Sequence, residues 1–244
     1  ADEVWIWTDV DGMMSADPLD IPAARNIPTL SYDEAAELAY FGARVLHSKM
    51  IGLLRERRVP VRIRNVYLPQ ATGTLIHEPS PAASSNRLQA VTLIPGIAFT
   101  RPRSGSLAWV TALTDEVFSR TTGSQAETMI AAQAPLHSLA CFIVPTTAGP
   151  NAAHDLELAL NDRIRQSNAA HDWSVSTVGV VTAVGAGLER SHELGADILT
   201  ALQGLRILGA AYSPSRCGMS IMVETPDADE ALQRIHDLIT DTPQ

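Results

Sequence analysis

The chain of 244 residues is short of several things, and each shortage removes a class of protein. No apolar run approaches the roughly 18 residues needed to cross a bilayer, and no basic stretch leads into an apolar one as in a secretory leader. The expectation is therefore a soluble cytoplasmic protein without a membrane partner. Cysteine occurs only twice, as Cys141 and Cys217, too few for a disulfide framework or a zinc site. Lysine is nearly absent, since Lys49 is the only one among 18 cationic residues; a phosphate-clamping lysine in a Gly-rich loop would have to come from elsewhere. Positive charge is in deficit overall. The formal net charge is -9, which disfavours long-range attraction to nucleic acid or anionic lipid. What the chain does have is apolar content, 45% against 18% charged, enough to bury the cores of one or two domains and to exclude disorder.

Ala1 to Thr8 (A-D-E-V-W-I-W-T) is apolar and β-favouring, and it reads as a strand buried on both faces, hence a parallel one. One parallel strand is not a sheet, so its neighbours are expected in a longer parent chain. Thr8-Asp9-Val10-Asp11-Gly12 forms a polar turn at its carboxyl end, where open α/β sheets hold their ligands. A Pro-containing loop from Asp17-Pro18 to Pro28 follows. Ser31 and Glu34 then have the spacing of a capping box, opening a helix with Ala35, Leu38 and Ala39 on its apolar stripe. Gly42 ends or interrupts it before a second helical stretch from about Val45 to Arg58, and Pro60–Asn65 and Gly73–Ile76 read as strands.

Glu78 to Arg87 (E-P-S-P-A-A-S-S-N-R) is a polar Pro/Ser-rich linker, and beyond it the pattern repeats. A first βαββαβ unit runs from strand Ile97–Arg101 through helix Leu107–Arg120, strands near Thr128–Gln133 and Leu139–Pro145, and helix Ala153–Gln166 to strand Val175–Val178. A second, βαββα, runs from strand Val178–Val184 through helix Ser191–Leu202 and strands Leu205–Tyr212 and Met219–Glu224 to helix Asp227–Leu238. The second unit lacks a last strand, and Leu88–Leu93 is a strand to spare. If it completes the second unit, the first (94–177) is inserted within the second (88–93 and 178–240), and two ferredoxin-like layers interlock.

Several clusters could carry chemistry. Thr8 and Asp9, with Arg44 near the helix break, could hold a nucleotide by hydroxyl and carboxylate contacts to base or ribose and by Arg to phosphate; the same turn is equally an Asx-type turn. Gly185-Ala186-Gly187-Leu188-Glu189-Arg190 follows a strand and opens a helix, but Arg190 replaces the third glycine of a dinucleotide fingerprint and no Rossmann unit surrounds it. That turn, and Arg103-Ser104-Gly105-Ser106 in the first unit, could present backbone N–H groups to a small carboxylate, or the glycines could simply fit tight turns. The arginines between Arg55 and Arg64 read as solvated rather than as a nucleic-acid patch, having no interleaved aromatics. The seven histidines show no ligand spacing, no Gly-x-Ser-x-Gly elbow supports a hydrolase, and Trp5, Trp7, Trp109 and Trp173 read as core.

At this point the residues resemble a known family. Thr8–Gly12, Ala16-Asp17-Pro18, the run Leu30–His47 (L-S-Y-D-E-A-A-E-L-A-Y-F-G-A-R-V-L-H), Pro60–Asn65 and Gly73-Thr74 look like the last part of the catalytic domain of aspartate kinases. The interlocked units resemble the tandem ACT regulatory domains that follow it. The resemblance implies an incomplete amino-acid-kinase α/β subdomain over 1–77, a linker at 78–87 and two ACT domains. It implies ATP, with magnesium in the parent enzyme, as phosphoryl donor to the side-chain carboxylate of aspartate on the route to lysine, threonine and methionine.

In this reading Thr8, Asp9 and Arg44 match nucleotide-contacting positions, while the catalytic lysine and aspartate-binding groups would precede Ala1, so no catalytic residue lies in this chain. Ser104, Gly105, Gln133, Gly185 and Gly187 become candidates for an amino-acid effector such as lysine or threonine. Homodimerisation through the ACT sheets is implied as well. Arg44 stands for the usual Lys, Leu19 for the usual Arg after Asp-Pro, and Met14 for a Tyr found in some members. Of the family's effector motif, a Gln followed by a small residue and Ser-Ser-Glu, only Gln133 is retained, in Gln133-Ala134-Pro135-Leu136-His137. Tyr212-Ser213-Pro214-Ser215-Arg216 takes its place in the second unit, so acceptors for an effector's ammonium are lost.

Overall fold

A computed structural model describes residues 2–42, 46, 48–78, 87–167 and 172–240. Its first layer is a sheet of β1 (Val4–Thr8), β2 (Thr29–Leu30), β3 (Val61–Asn65) and β4 (Thr74–Ile76), in the order β1-β3-β4-β2. β1 is parallel to β3, β2 is parallel to β4, and β3 and β4 are antiparallel. Helices α1 (Tyr32–Tyr40) and α2 (Ser48–Glu56) pack on it through Ala35, Leu38 and Ile51 against Val61, Ile63 and Ile76. The Ser31 hydroxyl accepts from the Glu34 N–H, and the Glu34 carboxylate accepts from the Ser31 N–H at 2.8 Å, closing the capping box. Val45 and the linker residues 79–86 lie outside the described residues.

Two expectations need correction. β1 finds a parallel neighbour, β3, within this chain, and it is buried on only one face: Ile6 packs toward the core, whereas Trp5 and Trp7 are 48% and 45% exposed. Arg64 stacks on the Trp5 ring at 4.6 Å, and the Trp5 indole N–H donates to Glu3 at 2.7 Å. A run of apolar residues does not reveal that its outer face is tryptophan, whose polar edge and flat ring tolerate water and a cation. Trp5 and Trp7 are therefore surface residues, while Trp173 is core.

The second layer is one antiparallel six-stranded sheet. Its strands are β5 (Ala90–Arg101), β6 (Glu127–Ala134), β7 (His137–Ile143), β8 (Ser174–Val184), β9 (Ile207–Tyr212) and β10 (Gly218–Glu224), in the order β6-β7-β5-β8-β10-β9. Where the sequence pattern breaks into Leu88–Leu93 and Ile97–Arg101, and into Val175–Val178 and Val178–Val184, the structure has two unbroken strands. They form a single ladder from Ala90↔Val184 to Thr100↔Ser174. Pro95 hides this continuity because it has no N–H to give; it sits opposite Gly179, and its carbonyl is still used, accepting from the Val144 N–H at 3.0 Å. β5 and β8 thus belong to both halves of the sheet.

All four long helices lie on one face. α3 (Leu107–Thr122) and α4 (Ala152–Gln166) bury Val110, Phe118 and Leu156 against Phe99 and Phe142. α6 (His192–Ala201) and α7 (Ala228–Thr240), after the short α5 (Gly187–Arg190), bury Ile198, Leu232 and Ile235 against Val181 and Ile221. The opposite face, free of these four helices, is concave. Flat, the outer strands β6 and β9 would lie about 24 Å apart; instead a Cβ built on Gly209 of β9 would sit 3.4 Å from the Ile130 side chain of β6.

The layers meet along the loop after β1. Ser15, Ala16 and Ile21 pack onto the α7 side of the sheet, and the Val91 N–H donates to the Ser15 carbonyl at 2.8 Å. The Ser15 hydroxyl accepts from the Arg25 N–H and lies 2.9 Å from Nε2 of His236, which is 1% exposed. Burial holds His236 below its ordinary pKa of 6.5, Arg25 adding to the effect and Asp237 opposing it. The unfolded chain then binds a proton that the native chain resists, so stability is full above pH 6.5 and falls as the pH drops below it toward the native value. Urea titrations between pH 7.5 and about 5 are expected to show this decline, and His236→Gln is expected to flatten it.

Candidate functional site

β1 and β3 are parallel neighbours in the register Thr8↔Asn65, so both carboxyl ends open at the same edge. There the Thr8 hydroxyl donates to the Asp9 carboxylate at 3.2 Å, and both residues are solvent-accessible. The turn behind them is tightly fixed. The Asn65 amide donates to the Asp11 carboxylate at 2.7 Å, the Asn26 amide donates to the Asp11 backbone carbonyl at 2.7 Å, and the Asn65 side-chain Oδ1 accepts from the Tyr67 N–H. The Thr74 hydroxyl accepts from the Met13 N–H at 2.8 Å and donates to the Ile27 carbonyl at 2.6 Å. Gly12 has φ +125°, and a Cβ there would lie 2.5 Å from both the Asn26 amide and the Thr74 hydroxyl, so glycine is required.

Asn65, Asn26 and Thr74 were not singled out as site residues in the sequence. For Asn65 the available signal was an amide at the carboxyl end of a strand adjacent to β1; for Asn26 there was none. Arg44 lies outside the described residues. Leu19, where the resemblance expects Arg, is 87% exposed, its N–H donating to the Asp17 carboxylate, and Met14 bridges to Asn26 across the loop.

The five candidate effector residues fall in two places, at opposite ends of the β5–β8 ladder. Ser104, Gly105 and Gln133 come together. The Gln133 amide donates to the Ser104 hydroxyl at 3.1 Å and to the Gly105 carbonyl, while the Gly105 N–H donates to the Ser138 hydroxyl at 3.0 Å. A Cβ on Gly105 would meet the Trp173 ring at 2.6 Å.

Gly185 and Gly187 flank the second turn. The Gly185 N–H donates to the Cys217 carbonyl at 2.8 Å, and a Cβ on Gly185 would lie 2.4 Å from the Arg87 carbonyl oxygen. The next N–H, that of Ala186, donates to the carboxylate of the chain's own Glu34, at 2.9 Å. Nearby, the Ser215 hydroxyl donates to Glu37 at 2.6 Å, and burial pushes the Cys217 thiol up to about 12.

Set against known proteins, residues 1–65 match the amino acid kinase family. The chain is 28% identical over 233 residues to the bifunctional aspartokinase/homoserine dehydrogenase of Haemophilus influenzae, covering 95% of this chain and 28% of that protein. It is 50% identical over 74 residues to the chloroplastic aspartokinase 2 of Arabidopsis thaliana, covering 30% of this chain and 14% of that protein. It superposes on the crystal structure of E. coli aspartokinase III in complex with aspartate and ADP at a TM-score of 0.71 and 21% identity, covering 99% of this chain and 53% of that one. At that identity the superposition establishes a shared fold.

Residues 1–65 of the front layer are thus similar to the amino acid kinase family. The chain as a whole is similar to aspartokinase-containing proteins, and it spans about a quarter of the length of the longer curated relatives it matches. No helix among the described residues is long and apolar enough to cross a membrane.

Proposed function

We propose that the chain is the rear portion of an aspartate kinase, combining part of the nucleotide site with an amino-acid-sensing allosteric module. The observation that carries this reading is the similarity to a bifunctional aspartokinase/homoserine dehydrogenase over 95% of the chain, a stretch that includes both layers. In it, residues 1–77 belong to the kinase domain. Residues 94–177 form one ACT domain, inserted in a second made of 88–93 and 178–240. The two halves of the sheet, β6-β7-β5-β8 and β5-β8-β10-β9, have the strand order that this insertion requires.

Thr8 and Asp9 are assigned to the base or ribose of ATP and Arg44 to its phosphates, and magnesium is expected with ATP in the parent enzyme. Lysine or threonine is the expected class of effector, and pairing through the open sheet edges gives a homodimer. Phosphoryl transfer depends on cations and positioning groups around the γ-phosphate, and in this reading the catalytic lysine and the aspartate-binding groups belong to the front portion of the enzyme. The chain alone is therefore expected to release no ADP when given ATP, magnesium and aspartate. Turnover above the uncatalysed background in a coupled assay would refute that.

A second reading is favoured by Leu19, an exposed apolar side chain where a cation is expected. In it the front layer is a scaffold and the chain is a non-catalytic amino-acid-binding or dimerising module. Calorimetric titration separates the two: heat on adding ATP with magnesium supports the first, and heat with lysine or threonine alone supports the second.

A further inference from the structure

The concave face of the curled sheet is filled from the other layer. Phe41, which ends α1, is packed among Ile94 and Ala98 of β5, Ile143 of β7, Val180 of β8 and Met222 of β10. The chain leaves this site in direct contact with the sheet, because a Cβ on Gly42 would lie 2.8 Å from the Ile94 side chain. Beside it, partial burial and the Glu127 carboxylate of β6 push the pKa of the Tyr40 phenol up.

At its other end the helix is anchored to the second half of the sheet. The Glu34 carboxylate accepts from the Ala186 N–H and Glu37 from the Ser215 hydroxyl. Glu34, Glu37 and Phe41 follow the three- and four-residue spacing of one helix face, and nine residues of helix reach about 13 Å. α1 therefore straddles both halves. The ladder beneath it is weakest at Pro95 opposite Gly179, where one strand has no N–H and the other no side chain.

On the opposite side α1 begins immediately after β2, which pairs with β4, and Thr74 at the start of β4 holds Met13 behind the Thr8–Gly12 turn. We infer that α1 is a wedge: a change of angle between the two halves of the sheet about Pro95 and Gly179 displaces Phe41 from the concave face, and the displacement reaches the Thr8–Gly12 turn through β2 and β4. The wedge gives the sensing module a route to the nucleotide edge, and to that extent it rests on the reading above. Its mechanical content needs no effector.

The test is amide hydrogen exchange on the whole chain. Phe41→Ala is expected to raise exchange about tenfold or more in β6, in β9 and at Gly12 and Met13, while Phe41→Leu, which refills most of the space, stays within about threefold of the parent. Glu34→Ala, which removes the acceptor, is expected to release the Ala186 amide and the same two strands. Increases confined to residues 38–42 in the Phe41 variants, or to Ala186 and the first turn of α1 in Glu34→Ala, overturn the wedge. Should Phe41→Ala fail to fold, Phe41→Leu and Glu34→Ala decide by the same criteria. Lysine and threonine titrations of the parent chain read the sensing module separately: absence of heat with spreading exchange removes the sensor and keeps the wedge, and heat with confined exchange does the reverse.

Discussion

Replacing Gly73 by alanine is expected to lower stability by about 2–4 kcal/mol. Gly73 lies at φ +65°, in the left-handed region, and a Cβ there would be 1.9 Å from the Ile63 carbonyl oxygen. That oxygen belongs to the backbone of β3, so no side-chain rotation relieves the clash. Either the connection between β3 and β4 moves or the Ile63↔Thr74 pairing opens. Because Thr74 holds the Met13 N–H and the Ile27 carbonyl, the damage extends to the edge where Thr8 and Asp9 stand. Urea unfolding followed by tryptophan fluorescence is the direct measurement, with Trp5 and Trp7 on the strand paired to β3. Gly123→Ala is the internal control: it has a similar φ, +71°, but nothing within 4 Å, and is expected to cost only about 1 kcal/mol. Equal losses for the two would mean that backbone conformation, not close approach, sets the requirement at Gly73.

The other large effect is expected from Phe142→Ala, a loss of about 3–5 kcal/mol. Phe142 is fully buried on β7, edge-on to Phe99 with ring centroids 5.8 Å apart, in the core beneath α3 and α4. Truncation removes an aromatic contact and leaves a cavity that two helices and a sheet cannot easily close. The form of the transition matters as much as its midpoint. β5 and β8 run unbroken through both halves of the sheet, so the halves are expected to unfold together, and calorimetry is expected to show one transition at a lower temperature. Two separated transitions would show that the shared strands do not bind the halves into one cooperative unit.

Local patterns were legible in the sequence wherever the interaction itself is local. The Ser31 and Glu34 capping box joins residues three apart, and the alternation of Val61–Asn65 is the period of a single strand. The internal repeat was readable because each unit carries its own period of strand and helix. The continuity of β5 and β8 was not, because Pro95 interrupts the local pattern while a partner strand some eighty residues away sustains the pairing. The outward face of β1 was misread for a related reason, since apolar composition reports a preference for burial but not which side a neighbouring layer occupies.

The candidate site shows the same division. Thr8 and Asp9 stand where the rule for parallel strands places them, yet the residues that brace the turn, Asn26, Asn65 and Thr74, come from three separate segments and meet only once the sheet is formed. Gly185 and Ala186 read equally well as a tight turn or as a carboxylate-binding turn. In the folded chain Arg87 crowds Gly185, as the tight-turn reading expects, and the Ala186 N–H is taken by the chain's own Glu34.

By itself, then, the sequence determined the type of most elements and the polar turn that follows β1, which are encoded within a few residues by backbone preference and hydrophobic period, but not the short β2 and α5 or the continuity of β5 and β8. Only the tertiary structure decided that the repeats share two strands, that their sheet curls, and that Phe41 fills the hollow. Those outcomes depend on close packing between segments far apart in the chain, where a fit of a few tenths of an ångström settles which arrangement is stable.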